Sequence, residues 1–310
     1  MTPVARARED FDRLVEMAMQ EGGRAHMRPV IEKELIHYDI LHALEAEGLL
    51  AGLTFQGGTA LRLIYGGSRF SEDLDFVGGY DFNQSNLQQL RSCVMDYLGD
   101  RYGLETSVKA PKETGQEPVN RGLKVAKWQL SIQTAPERPD LPRQRIKIEV
   151  ANIPAYTRSP EPLRVNYHWL PEGYAHTLVQ TESLEEILAD KLVSLPNCSY
   201  LRYRDIWDIA WLTQAPQLAR LDPGLISKKL ADYSVQDYQA KIESLVSRMP
   251  EIVRSRECRT ALARFLPMDV QERTLEHEQF NIYLTNSVAK TLTAAARSLA
   301  PKGDEPEFVM

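Results

Sequence analysis

Hydrophobic and polar positions alternate in two different rhythms along this chain, and the change of rhythm divides it. Ile31, Leu35, Ile40 and Leu44 recur at helical spacing after Pro29, a favoured first-turn residue, and Gly48 supplies a stop, so the pattern predicts a helix over 29–47. Leu53 to Phe55 reads as a short strand, Ala60 to Tyr65 as a short helix closed by Gly66 and Gly67, and Leu74 to Val77 as a second strand. Residues Asn86 to Tyr97 return to helical spacing. KVAKWQLSIQ (124–133) and RIKIEV (145–150) alternate as half-buried strands, with the Pro-rich turn TAPERPDLPR between them.

From Ser183 onward the spacing is helical nearly to the end. Ser183 and Glu186 form a capping-box pattern ahead of Leu184, Ile187, Leu188 and Leu192. Further helices are predicted at 201–213, 223–232, 237–247, 255–265 and 277–299. The expected architecture is therefore α+β and bilobed: a domain with a mixed sheet over 1–170, then a helical domain over 171–310. The tail PKGDEPEF after Ala300 reads as a frayed end.

Composition narrows the class without choosing a function. The 310 residues are 43% hydrophobic and 26% charged, an ordinary globular balance. A net charge of -6 argues against a chain that is basic throughout, but a site acts through its local field, so a basic groove stays compatible with it. Three cysteines, Cys93, Cys198 and Cys258, are widely spaced and form no Cys/His cluster, which disfavours zinc and a disulfide framework. A reduced, cytoplasmic setting is the expectation. The N-terminus carries acids and lacks the apolar core of a signal peptide, and no apolar run approaches the roughly 18 residues of a membrane span.

The chemistry concentrates in FQGGTALRLIYGGSRFSEDLDF, Phe55 to Phe76. Gly57, Gly58 and Thr59 stand between a strand and a helix. Glycine admits a ligand close to the backbone, and a helix start offers free N–H donors to phosphate. Taken alone, the same residues would also make a plain strand-to-helix turn. Asp73 and Asp75, two apart on a strand, point to one face while Leu74 and Phe76 point to the other. Like charges on one face repel, and a cation between them removes that cost. Oxygen ligands without His or Cys suit Mg²⁺. Glu149, on the polar face of RIKIEV, is a third candidate carboxylate if its strand lies beside the first; an exposed Glu paired with Lys or Arg is the alternative.

In the helical half, Lys191 falls on the apolar stripe of its helix, and Asp205 and Asp208 fall among Leu201, Ile209 and Leu212 on the next. A lysine placed so needs a partner. It can bridge to one of those aspartates, meet a nucleotide phosphate, or do both. Arg69, Arg202 and Arg204 add positive charge to the same region.

GGTALRLIYGG followed by RFSEDLDF resembles the AbiEii-type nucleotidyltransferase toxins of bacterial toxin–antitoxin systems, within the DNA polymerase β-like nucleotidyltransferase superfamily, and EEILADKLVSL…RYRDIWDIAWL is similar to that family's helical motif. The resemblance runs from about residue 30 to residue 215. It implies that Gly57, Gly58, Thr59, Arg69 and Lys191 bind an NTP, that Asp73 and Asp75 hold Mg²⁺, and that Lys191 and Asp208 are the second-domain catalytic pair. Glu149 matches more loosely as a third metal ligand. It also implies transfer of a nucleotide to RNA, at the 3′ end of tRNA in characterised members, with a block on translation and a cognate antitoxin as partner. In some members the Ser or Thr matching Thr59 is phosphorylated to silence the enzyme. A protein hydroxyl or a small molecule such as an antibiotic is the alternative acceptor. The expected RNA surface is the basic set Lys228, Lys229, Lys241, Arg248, Arg254, Arg256, Arg259 and Arg264, which ordinary solvated helix faces would equally explain.

Overall fold

A computed structural model describes residues 9–111, 123–138, 141–215, 218 and 221–299. The expected frayed tail lies outside these residues, as does the extreme N-terminus. Helices α1 (Phe11–Gln20) and α2 (Arg28–Ala46) come first, then β1 (Thr54–Gln56), α3 (Gly57–Leu63) and β2 (Leu74–Val77). Next are α4 (Leu90–Tyr102), β3 (Thr106–Lys109), β4 (Val125–Ile132), β5 (Gln144–Ala151), β6 (Arg158–Pro162) and β7 (Leu178–Glu182). The remainder is helical: α5 (Leu184–Asn197), α6 (Tyr203–Leu212), α7 (Pro223–Asp232), α8 (Tyr238–Arg254), α9 (Arg256–Ala263), α10 (Met268–Arg273) and α11 (Glu278–Ser298).

The mixed α/β character is as expected. The strands form one seven-stranded sheet in the order β3-β4-β5-β2-β1-β7-β6, with β2–β5 and β1–β7 parallel and the other pairs antiparallel. Period-2 alternation decides its two faces. Ile146, Ile148 and Val150 of β5 and Trp128 and Leu130 of β4 are buried on the back face, towards α2 and α4. The front face carries Asp75, Lys147 and Glu149.

Helix α2 is buried around much of its circumference, which explains why its apolar positions are so dense. Helix α5 is capped by Ser183, whose Oγ accepts from the Glu186 N–H at 3.3 Å. The expected capping box is only half formed. Glu186 turns instead to the backbone N–H groups of Tyr156 and Thr157, the Thr157 hydroxyl and Lys229, because these donors surround it in a buried position. One hydrophobic core runs without a break from the sheet, including Phe55, Phe76 and Ile148, into the helices, including Leu188, Ile209 and Leu284. A backbone hydrogen bond from Phe70 N–H to Phe265 O (2.9 Å) adds a direct tie between the approach to β2 and the end of α9.

Candidate active site

Between the front of the sheet and α5–α6 lies a cleft of about 650 Å³, lined by Gly57, Gly58, Arg69, Asp73, Asp75, Glu149 and Lys191, with Arg202, Arg204 and Arg264 also on its walls. Asp75 pairs in register with Gln56 of β1 on one side and Glu149 of β5 on the other. The sheet thus brings a third carboxylate, from a position 74 residues later, beside the second. Burial first, then the neighbouring Glu149 and Asp73 charges, push Asp75 up to about 6. Asp73 sits just ahead of β2. Its Oδ1 accepts from Lys147 N–H at 3.0 Å, and Lys147 Nζ stands 3.5 Å from its Oδ2. Lys127 Nζ lies 2.8 Å from Glu149 Oε1. Both readings of Glu149 therefore meet in one residue, which is paired with a lysine and also adjoins Asp75.

The two glycines are required by what approaches them. Gly57 has φ +75°, and a Cβ there would lie 2.9 Å from Asp75 Oδ2. A Cβ on Gly58 would lie 2.5 Å from Arg69 Nη2 and 3.2 Å from Ser71 Oγ. Arg69 has little room to retreat. Its Nη1 donates to Phe70 O at 2.7 Å, and its Nε and Nη2 donate to Asp208 Oδ1 and Oδ2 at 2.9 and 2.7 Å.

Asp208 also accepts an ion pair from Lys191 Nζ at 2.8 Å, while Asp205 Oδ1 takes the same Nζ at 2.7 Å. Burial alone would raise Asp208, but Arg69 and Lys191 outweigh it and hold the carboxylate well below its ordinary range. Burial would lower Lys191, but Asp205 and Asp208 outweigh it and raise the ammonium. Lys191 and Asp205 line the cleft, whereas Asp208, 4% exposed, sits behind them. From there its carboxylate holds Arg69 and Lys191 at the cleft wall.

Thr59 departs from expectation. Its hydroxyl is buried and donates to the backbone carbonyl of Asp73 instead of facing the cleft. At the third helical position, on the side towards β2, the side chain meets the aspartate loop and not the open space above the glycines. The basic set of the later helices is also dispersed. Lys229 is fully buried against Glu182, Glu186 and Asp190 at 3.1, 2.7 and 3.0 Å. Lys228 lies over the Tyr156 ring, Lys241 donates to Asn197, and Arg254 pairs with Glu278. Of that set, Arg264 alone lines the cleft. The sequence pattern does not single out Glu72, whose carboxylate gathers Lys33 (2.7 Å), Arg204 (3.4 Å) and Arg264 (3.8 Å) at the cationic end. Nor does it single out Lys147 and Lys127, whose only signal is their alternation with apolar residues.

The carboxylates Asp73, Asp75 and Glu149 offer oxygen donors alone, the set that suits a hard divalent cation. Among the described residues, no three His, Cys, Asp or Glu side chains already converge as one ion-binding group. No described helix is long and apolar enough to cross a membrane.

Comparison with known proteins bears first on the fold. JHP933 from Helicobacter pylori has a similar structure, with 19% identity, 87% of this chain and 96% of that chain covered, and a TM-score of 0.51. MenT4, a nucleotidyltransferase toxin from Mycobacterium tuberculosis H37Rv, overlaps 93% of this chain and 98% of its own at 18% identity and a TM-score of 0.49. No curated protein matches the sequence. The family model for the nucleotidyl transferase AbiEii toxins of type IV toxin–antitoxin systems matches residues 39–286, and the chain belongs to that family.

Proposed function

We propose that this toxin transfers a nucleoside monophosphate from an NTP to an RNA hydroxyl, at the 3′ end of tRNA, and that the product tRNA can no longer serve translation. The observation that carries the transfer reading is the in-register placement of Asp75 against Glu149, with Asp73 two residues earlier, beside a glycine backbone against which Arg69 is packed. The cleft combines a carboxylate group with a cationic wall, which is what a metal-bound triphosphate requires.

Asp73 and Asp75, with Glu149 as a third ligand, would hold Mg²⁺. Bound there, Mg²⁺ supplies charge neutralisation for the triphosphate and acidifies the acceptor hydroxyl. The chain's own groups do the rest. The Gly57–Gly58 backbone and Arg69 receive the phosphates, Lys191 adds charge at the same wall, and Asp205 and Asp208 keep that lysine ionised and aimed. Lys147 and Lys127 must release Asp73 and Glu149 as the metal and substrate enter. Preorganised charge of this kind lowers the barrier because it needs no rearrangement during reaction. A cognate antitoxin restrains the enzyme, as expected for a toxin–antitoxin family, and the cytoplasm is its proposed site of action.

The test is incubation of the pure protein with total tRNA and each α-labelled NTP in turn, in Mg²⁺ buffer with a chelator control. Label at the tRNA 3′ end, lost with chelator, is the expected result. Label on protein or on a small molecule instead would replace the acceptor.

A further inference from the structure

The front of the sheet is not uniform. At its β5–β4–β3 end the back face is buried while the front positions Lys109, Lys127 and Arg145 are exposed and Lys147 half-buried. Directly paired residues share a face, so the ladder places these side chains in rows. The first row is Asp75, Glu149 and Lys127. The second is Lys147, Gln129 and Lys109. The third is Arg145, Ser131 and Ser107. Successive rows are two residues apart, roughly 6.6 Å at about 3.3 Å per residue.

Within these three rows the charge outside the reaction centre has one sign, and the Arg143–Glu105 pair (2.9 Å) lies just past the third row. Four cations face outward, and Glu149 is the only acid in the three rows beyond β2. Lys127 and Lys147 reach inward to Glu149 and Asp73. Lys109 and Arg145 make no ion pair among the described residues. The remaining positions are Ser and Gln, short polar groups that can donate to phosphate or sugar oxygens. This contrasts with the later helices, whose basic residues are buried, paired or scattered.

We infer that the open β3–β4–β5 face is the RNA platform of the enzyme, with the phosphates of the acceptor strand lying on Lys109 and Arg145 and its 3′ hydroxyl led over Lys147 to the Asp73–Asp75–Glu149 centre. The inference rests on the RNA-acceptor reading proposed above. An extended strand laid down the rows meets a cation at each step, and its terminus arrives on the Glu149 side of the carboxylates. The NTP enters from the opposite side, where Gly58, Arg69 and Lys191 stand. The two substrates thus approach the same carboxylates from different directions without sharing a wall.

The experiment compares Lys109→Glu/Arg145→Glu with Arg254→Glu/Arg256→Glu/Arg259→Glu, using tRNA and the labelled NTP that the wild type accepts. Both sets spare every residue placed at the reaction centre. The first set is expected to raise KM for tRNA about tenfold or more. It should also flatten by about 1.4 the slope of log Kd against log salt for a single-stranded RNA with a free 3′ hydroxyl, about 0.7 for each phosphate no longer neutralised. KM for NTP and the melting temperature should stay at wild-type values, and Lys109→Gln/Arg145→Gln should fall between. The helical set is expected to change neither RNA measure. Unchanged tRNA KM and salt slope in the sheet variants, or the loss appearing in the helical set instead, overturns the platform while leaving RNA as acceptor. Wild-type protein that labels no RNA under any condition overturns both readings.

Discussion

Asp75 on β2 stands directly opposite Glu149 on parallel β5. Two carboxylates so placed repel each other unless a proton or a cation intervenes. Lys127 and Lys147 offset part of this repulsion at Glu149 and Asp73, and Asp75 bears the remainder. We predict that Asp73→Ala and Asp75→Ala each reduce transfer to background, that Asp75→Ala raises the melting temperature slightly because a like charge is removed, and that Asp73→Ala lowers it modestly because the Lys147 N–H loses its acceptor. A transfer assay beside a thermal melt measures both. Wild-type transfer in either variant would remove the carboxylate centre from the mechanism.

The same crowding gives a pH signature. Asp75 is pushed up to about 6, above its ordinary value near 3.8. A raised folded-state pKa stabilises the fold fully below the unfolded pKa, and that contribution is lost as pH rises through the folded value. Metal-free protein should thus lose stability from this group between about pH 4 and pH 6, and Asp75→Asn should flatten the fall. His37, lowered to about 4 by burial, acts in the opposite sense over an overlapping window, destabilising the fold as pH falls from 6.5. The informative quantity is therefore the difference between wild type and Asp75→Asn across a melting series. No difference in slope between pH 4 and 6 would refute the carboxyl coupling.

Much of this is legible in the sequence, and the exceptions have physical causes. Helix α11 and strands β4 and β5 declare themselves because one face of each is apolar throughout, and helices α2, α5 and α7 because apolar residues recur at helical spacing around the charged residues they bury. Strands β3, β6 and β7 are too short or too irregular to show a period: β3 has four residues, β6 is the proline-bearing edge RSPEP, and β7 is five residues long. Helix α1 lies outside the predicted elements although Phe11, Val15 and Ala18 give it a buried face at helical spacing. The predicted helix at 86–97 begins instead at Leu90, because Gln84–Leu87 forms a 3₁₀ turn capped by Asn83. Helix α8 continues to Arg254, past the predicted end at 247 and through Pro250. Within the site, residue types are readable but their partners are not. Arg69 and Asp208 are 139 positions apart, and nothing local to either shows that one will clamp the other.

Lys191 should prove both structural and functional. Lys191→Met leaves Asp205 with no close cation beyond Arg202 at 3.8 Å, and Asp208 with Arg69 alone. Loss of one partner from a buried ion group costs on the order of 3–5 kcal/mol. The expected outcome is a lower melting temperature together with a marked fall in kcat/KM for NTP. A variant that melts early but keeps wild-type NTP kinetics would leave Lys191 only its structural part. Asp208→Asn separates the roles further. It should raise KM for NTP by loosening Arg69 and Lys191 together.

Gly58 offers a steric test. Gly58→Ala places a methyl 2.5 Å from Arg69 Nη2, where Asp208 and Phe70 O hold the guanidinium. Overpacking of this kind costs about 1–3 kcal/mol. We expect a lower melting temperature and weaker NTP binding. Adding Arg69→Ala should recover part of the packing loss but none of the binding. Full NTP binding by Gly58→Ala would show that Arg69 has freedom which the clamp denies it.

Thr59 carries a further consequence. Thr59 is 1% exposed, and its hydroxyl already donates to the carbonyl of Asp73. A modifying enzyme meets no free nucleophile there while β2 is seated. Any group added to the Thr59 oxygen would have to displace its hydrogen bond to the Asp73 carbonyl, so the start of α3 and the carboxylate segment are mechanically tied at this one contact.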